Sequence, residues 1–120
     1  MKKKFKKIVM FDLDNTLCKT KGKNYLKARP RKNIIKMINE LYNYNFYIKI
    51  FTSRYMGRNN EDYNLVYKKY FLKTKMQLDK WGLKYHELIM GKPSYDFHFD
   101  DKSYNSKSTN FIKLLKKLRK

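Results

Sequence analysis

Lys7-Ile8-Val9-Met10-Phe11-Asp12-Leu13-Asp14-Asn15-Thr16 passes directly from an apolar run into a polar turn. Residues 7–13 are rich in β-branched and apolar side chains and read as a strand, and Asp14-Asn15-Thr16 closes it with turn chemistry. Two more runs, 46–51 and the short 88–90 before Gly91, read as strands in the same way. A brief fourth, 96–99, ends in Asp100 and Asp101. Between the first two strands, residues 30–44 predict a helix. Pro30 suits its first turn, and Ile34, Ile35, Ile38, Leu41 and Tyr42 share one face. Residues 60–81 predict a second helix with Leu65, Val66, Tyr70, Phe71 and Leu78 inward, stopped by Trp81-Gly82. Phe111, Leu114, Leu115 and Leu118 mark a third, with lysines opposite. Alternating strands and helices predict a single Rossmann-like, doubly wound α/β domain with a mainly parallel sheet flanked by helices. Such sheets bind ligands beyond the carboxyl ends of their strands.

With 120 residues, the chain has room for one core and no second module. The run 8–11 is far too short for a membrane span or a signal segment. Cys18, the lone cysteine, cannot form an internal disulfide, and a cytoplasmic location is expected. The formal charge of +20 invites a nucleic-acid partner. Against that, 25 of the 30 basic residues are lysine, and arginine, the residue suited to bidentate phosphate and base contacts, is scarce. Many lysines lie in basic tails, about 1–6 and 116–120, where solvated ends account for them as readily as a polyanion-binding role does.

Only ten acidic residues offset this charge, yet four form two tight pairs at strand ends: Asp12 with Asp14, and Asp100 with Asp101. Residues two apart in a strand lie on one face about 6–7 Å apart, so Asp12 and Asp14 can face one ligand while Leu13 turns inward. Gathered carboxylates repel unless a cation joins them, and an all-oxygen ligand set favours Mg²⁺. Taken one pair at a time, the same aspartates also read as helix caps and turn residues.

Phe11-Asp12-Leu13-Asp14-Asn15-Thr16-Leu17 resembles the first motif of the haloacid dehalogenase-like (HAD) phosphatase superfamily. Phe51-Thr52-Ser53-Arg54, Gly91-Lys92-Pro93 and Phe99-Asp100-Asp101-Lys102 resemble its other three motifs, in order and each after an apolar run. Gly91-Lys92-Pro93-Ser94-Tyr95-Asp96 looks like a small capless branch whose members are often found among genes for capsule and surface-polysaccharide synthesis. The resemblance implies that Asp12 attacks phosphorus to form an aspartyl-phosphate, and that Asp14 serves as acid and then base. It implies that Mg²⁺ is held by Asp12, the Asp14 carbonyl and Asp100, with Asp101 beside them. Thr52, Ser53 and Lys92 would bind the phosphate, and Arg54 is a further candidate substrate contact. Asp12 and Thr52 lie 40 residues apart, as do Thr52 and Lys92, and helix, strand and loops fill both intervals, so no cap domain fits. Residues 19–27 read as a short flap over the site.

The expected function is hydrolysis of a small phosphorylated metabolite, a sugar phosphate or a phosphate on a nucleotide sugar. An open site also admits a 3′-phosphorylated nucleic-acid end, the second reading, or closure by another subunit of a homo-oligomer. A third reading, a non-catalytic basic nucleic-acid-binding module on the same fold, has no use for an intact nucleophile.

Overall fold

The computed structural model describes residues 4–107 and 111–118. Three strands, β1 (Ile8–Asp12), β4 (Tyr47–Phe51) and β5 (Glu87–Ile89), form a parallel sheet in the order β1-β4-β5. Register runs from Ile8↔Tyr47 to Asp12↔Phe51, and from Lys49↔Glu87 to Phe51↔Ile89. The strands therefore end level, which brings the residues after them to one edge. Short strands β2 (Cys18–Lys19) and β3 (Arg29–Pro30) pair antiparallel as a separate hairpin.

Helix α1 (Lys32–Asn43) buries Ile34, Ile35, Met37, Ile38 and Leu41, the face expected from periodicity with Met37 added and Tyr42 only half-buried. It begins after Pro30, which belongs to β3 and not to a first helical turn. Helix α2 (Tyr63–Lys80) is capped by Asp62, whose side chain accepts from the Leu65 amide at 3.1 Å. That carboxylate satisfies one of the free amides of the first turn. Val66, Thr74 and Leu78 are the buried residues of α2, fewer than its pattern promised. Helix α3 (Phe111–Leu118) buries Phe111 and Leu115 and packs on α1. The basic tail predicted from 116 is thus helical as far as Leu118. Lys2, Lys3 and Lys120 lie outside the described residues.

Residues 96–99 correct the expectation of a fourth strand: they are irregular, with Phe97 83 % and Phe99 92 % exposed. Alternation alone does not make a strand. Pairing does, and this segment has no ladder partner among the described residues. β1 is accordingly an edge strand, and its Ile8 and Met10 are 65 % and 56 % exposed. The segment 19–27 is built into the β2–β3 hairpin, with a 3₁₀ turn at Tyr25–Lys27. No cap domain stands over the sheet among the described residues, and no described helix is long and apolar enough to cross a membrane.

Ile48, fully buried at the centre of β4, and exposed Ile8 should separate cleanly in urea denaturation. Ile48→Ala should cost about 2–5 kcal/mol, and Ile8→Thr should stay within about 0.5 kcal/mol of the parent.

Candidate active site

Backbone pairing beyond the strands assembles the site. The Thr52 amide donates to the Ile89 carbonyl at 3.0 Å, and the Lys92 amide donates to the Thr52 carbonyl at 3.0 Å. This extension carries Thr52 and Lys92 to the edge where Asp12 ends β1. Lys92 Nζ lies 3.5 Å from Asp12 Oδ1, a contact between residues 80 positions apart. Gly91 makes the turn possible. Its φ of +89° disfavours any side chain, and a Cβ there would sit 2.0 Å from Tyr63 Cδ2.

Burial pushes the Asp12 carboxyl above its ordinary value, outweighing the nearby Lys92 charge and the Leu13 amide, with Asp14 adding to the rise. Lys92 is itself pushed up: burial opposes its charge, but Tyr95 and Asp12 together favour it more. Its ammonium also lies over the Tyr95 ring at 5.1 Å and the Phe51 ring at 5.9 Å. The result is a partly desolvated carboxylate, still 38 % exposed at its side chain, facing a held cation.

Asp14 and Arg54 form a second pair. Arg54 Nε donates to Asp14 Oδ2 at 2.8 Å and to Oδ1 at 3.0 Å, and the guanidinium is wholly buried. Nη1 donates to Gln77 Oε1 on α2, and Nη2 approaches Cys18 Sγ at 3.9 Å. The Tyr25 ring lies 5.2 Å from its centre. Arg54 is therefore corrected as a substrate contact: it is turned into the core, and its charge is spent on Asp14.

The Thr52 side chain is almost fully buried, and its Oγ1 accepts from the Arg54 amide at 3.1 Å. That amide is consequently committed within the loop. The Thr52 hydroxyl proton is left for another acceptor. Ser53 follows at the same edge, half-buried, with its carbonyl accepting from the Met56 amide at 3.1 Å.

Asp100 and Asp101 are the part of the expected site that does not join it. Both are exposed, and the Lys102 amide, donating to Asp100 Oδ1 at 2.9 Å, holds that carboxyl below the usual range. Among the described residues no three His, Cys, Asp or Glu side chains come together as a metal-binding group. As placed, Asp12, Asp14, Asp100 and Asp101 do not fit a magnesium ion. The short connection from Lys92 does not place the second acidic pair, because the fourth strand that would anchor it is missing.

Thr20 and Gln77 were not legible as site residues. Thr20 Oγ1 donates to Asp14 Oδ1, and Gln77 links Arg54 to the Tyr25 carbonyl, to which its Nε2 donates at 2.8 Å. Neither position carries a sequence signal, since polar residues on a flap and on a long helix ordinarily face water. Cys18 is buried, and burial pushes its thiol up. Beside Asn15 and Cys18 opens a cavity of about 580 Å³, bordered by Lys19, Arg31 and Lys107 and, among the described residues, by no acidic side chain.

No family model matches the chain, and no curated protein matches it. A crystal structure of a structural-genomics target from Vibrio cholerae is similar in fold, with a TM-score of 0.77 and 25 % identity. The match covers 95 % of this chain and 99 % of that one.

Gly91→Ala should displace Tyr63 or Lys92 and cost about 1–3 kcal/mol in thermal or urea unfolding, the range for a strained backbone position. A second expectation concerns pH. Because the Asp12 carboxyl is raised in the folded state, its contribution to stability is present at low pH and lost as pH rises through that raised value. Asp12→Asn should therefore be more stable than the parent at neutral pH. The advantage should shrink as pH falls toward the ordinary 3.8, as read by denaturation at both pH values.

Proposed function

We propose that this chain is a capless phosphomonoester hydrolase of Rossmann-like, doubly wound design, acting through an aspartyl-phosphate on Asp12. The observation that carries the proposal is the Asp12–Lys92 pair at the carboxyl edge of the parallel sheet, 3.5 Å apart and open to solvent. A carboxylate is ionised near neutral pH and needs no base to become a nucleophile. Burial strips water from Asp12, and Lys92 draws the substrate dianion toward it as a point cation.

Asp12 attacks phosphorus, and the bond from phosphorus to the ester oxygen breaks. Asp14, ion-paired with Arg54, takes up a proton from solvent and passes it to the departing alkoxide, which leaves as the alcohol. Water then attacks the same phosphorus and yields its proton to Asp14, and the bond to Asp12 breaks to release inorganic phosphate. Asp14 returns that proton to solvent, so each aspartate ends as it began. Thr52, through its remaining hydroxyl proton, and Ser53 are the further phosphate-binding residues.

The magnesium requirement implied by the HAD resemblance enters as a property to be measured. It would require residues 100 and 101 to reach Asp12, and turnover should then be lost in excess chelator and return with added magnesium. By the same resemblance the substrate is a sugar phosphate or nucleotide-sugar phosphate of surface-polysaccharide synthesis, handled in the cytoplasm. The acid-free cavity bordered by Lys19, Arg31 and Lys107 suits an anionic leaving group. It also keeps alive the second reading, a 3′-phosphorylated nucleic-acid end.

Asp12→Asn should lower kcat by at least about 10³-fold, the scale on which loss of a nucleophile acts, with substrate still bound. Beryllium fluoride should inhibit and be found on Asp12. Near-parent rates in the variant, or the fluoride on another residue, would remove Asp12 from its role. A 3′-phosphorylated oligonucleotide hydrolysed in preference to sugar phosphates, with binding that weakens steeply with salt, would select the second reading.

A further inference from the structure

We infer that the cavity beside Asn15 and Cys18 is a subsite for a second anionic group on the substrate's leaving group, with Arg31 as its anchor. This rests on the phosphatase reading above and narrows the substrate to a small phosphomonoester that bears another phosphate or a carboxylate. Three cations, Lys19, Arg31 and Lys107, border the cavity, and among the described residues no carboxylate does. A cleft lined by one sign of charge concentrates ligands of the other.

Arg31 differs from the two lysines, which are exposed. It is half-buried, its Nη1 donates to the Thr16 carbonyl at 3.0 Å, and its amide donates to the Leu17 carbonyl at 2.8 Å. The guanidinium is thus fixed to the loop after β1 before any ligand arrives. A guanidinium carries five N–H donors, and among the described residues only the Thr16 carbonyl takes one. Donors held in place bind phosphate or carboxylate oxygens with little further loss of freedom. Ser106 closes the other side. Its Oγ lies 3.2 Å from Thr16 Oγ1 and donates to the Asn15 carbonyl at 3.4 Å, which brings neighbouring Lys107 to the same loop. Phe111 and Ile112 of α3 add an apolar wall.

Place and size define the ligand class. Asn15 follows Asp12 by three residues, so at a full extension of roughly 3.6 Å per residue the two lie within about 11 Å. A leaving group a few bonds long spans that reach. At about 580 Å³ the cavity falls within the roughly 300–1,000 Å³ of small-molecule sites, and its apolar wall suits the carbon body between two anions.

Binding separates the subsite from hydrolysis. Phosphonates are not hydrolysed, so linear alkane bisphosphonates of about three to six carbons, each against its monophosphonate, report affinity by calorimetry. The full-length parent should bind at least one bisphosphonate about 10-fold more tightly or better, the scale of a charge-assisted hydrogen bond. Arg31→Gln should remove that advantage and leave monophosphonate binding little changed. The double variant Lys19→Gln/Lys107→Gln should reduce it too, and still reports if Arg31→Gln fails to fold. Lys68→Gln/Lys69→Gln, an equal loss of charge at exposed positions of α2, should not. Equal affinity for both ligands at every length would overturn the inference. So would an advantage that survives the cavity variants, or one that the α2 variant lowers as much, since the field of the whole +20 chain would then explain it. With the matching phosphate esters, Arg31→Gln should raise KM for the bisphosphate about 10-fold at unchanged kcat, and an equal rise for the monophosphate would overturn the assignment. If the advantage depends on Arg31 but neither ester is hydrolysed, the phosphatase reading fails while the anion subsite stands.

Discussion

A guanidinium taken entirely out of water must be met by an anion and by acceptors for its remaining hydrogens, or the fold that buries it is heavily penalised. Arg54 is such a group, and Asp14 is the anion that meets it. The consequences spread through the chain. The loop after β1 must deliver Asp14, α2 must present Gln77 to Nη1, and the hairpin must bring Thr20 and Tyr25 within reach. Tyr25 is bound twice over, its carbonyl by Gln77 and its ring against Arg54 and Tyr55. One buried charge thus ties together three segments, the loop after β1, the hairpin and α2. Relative to an apolar replacement, a pair of this kind adds little net stability. What it adds is a single allowed arrangement around the carboxylate.

A second constraint is the level ending of three parallel strands. Parallel pairing aligns β1, β4 and β5 so that Asp12, Thr52 and Lys92 leave the sheet together, and the ladder extension through Thr52 locks the last two. Convergence is therefore a property of the backbone, with side chains needing only the right chemistry. His86 reinforces the ladder at the opposite end. Its amide donates to Ile48, its Nδ1 accepts from the Ile48 amide, and its ring stacks between Tyr42 and Tyr47. Those contacts give this histidine a structural role.

Legibility in the sequence followed the physics of each element. The buried face of α1 was readable because its apolar side chains repeat at the helical period, and only Met37 escaped, being placed at the margin of that stripe. The three strands were readable as apolar runs, and the meeting of Asp12 with Lys92 followed from placing both after such runs. The 96–99 segment misled because Phe97-His98-Phe99 alternates like a strand, while a strand exists only where another backbone accepts it. With it went the expected approach of Asp100 and Asp101. Arg54 misled for a different reason. An arginine in a loop is ordinarily solvated, and nothing local in the sequence reveals that Gln77, on a helix 23 residues away, completes a buried shell around it.

The absence of a cap among the described residues changes what the remaining structure has to do. An inserted domain that closes over a site excludes water and orients the reacting groups at once. At an open sheet edge neither effect comes from closure, so orientation has to be built in from below. Asp12 is desolvated by the core beneath it, not by a lid, which is why burial is the largest influence on its carboxyl. Asp14 is oriented by a cation rooted in that same core, leaving one oxygen outward. The rigidity around Asp14 lies on the inner side of that edge, where Arg54 meets Gln77.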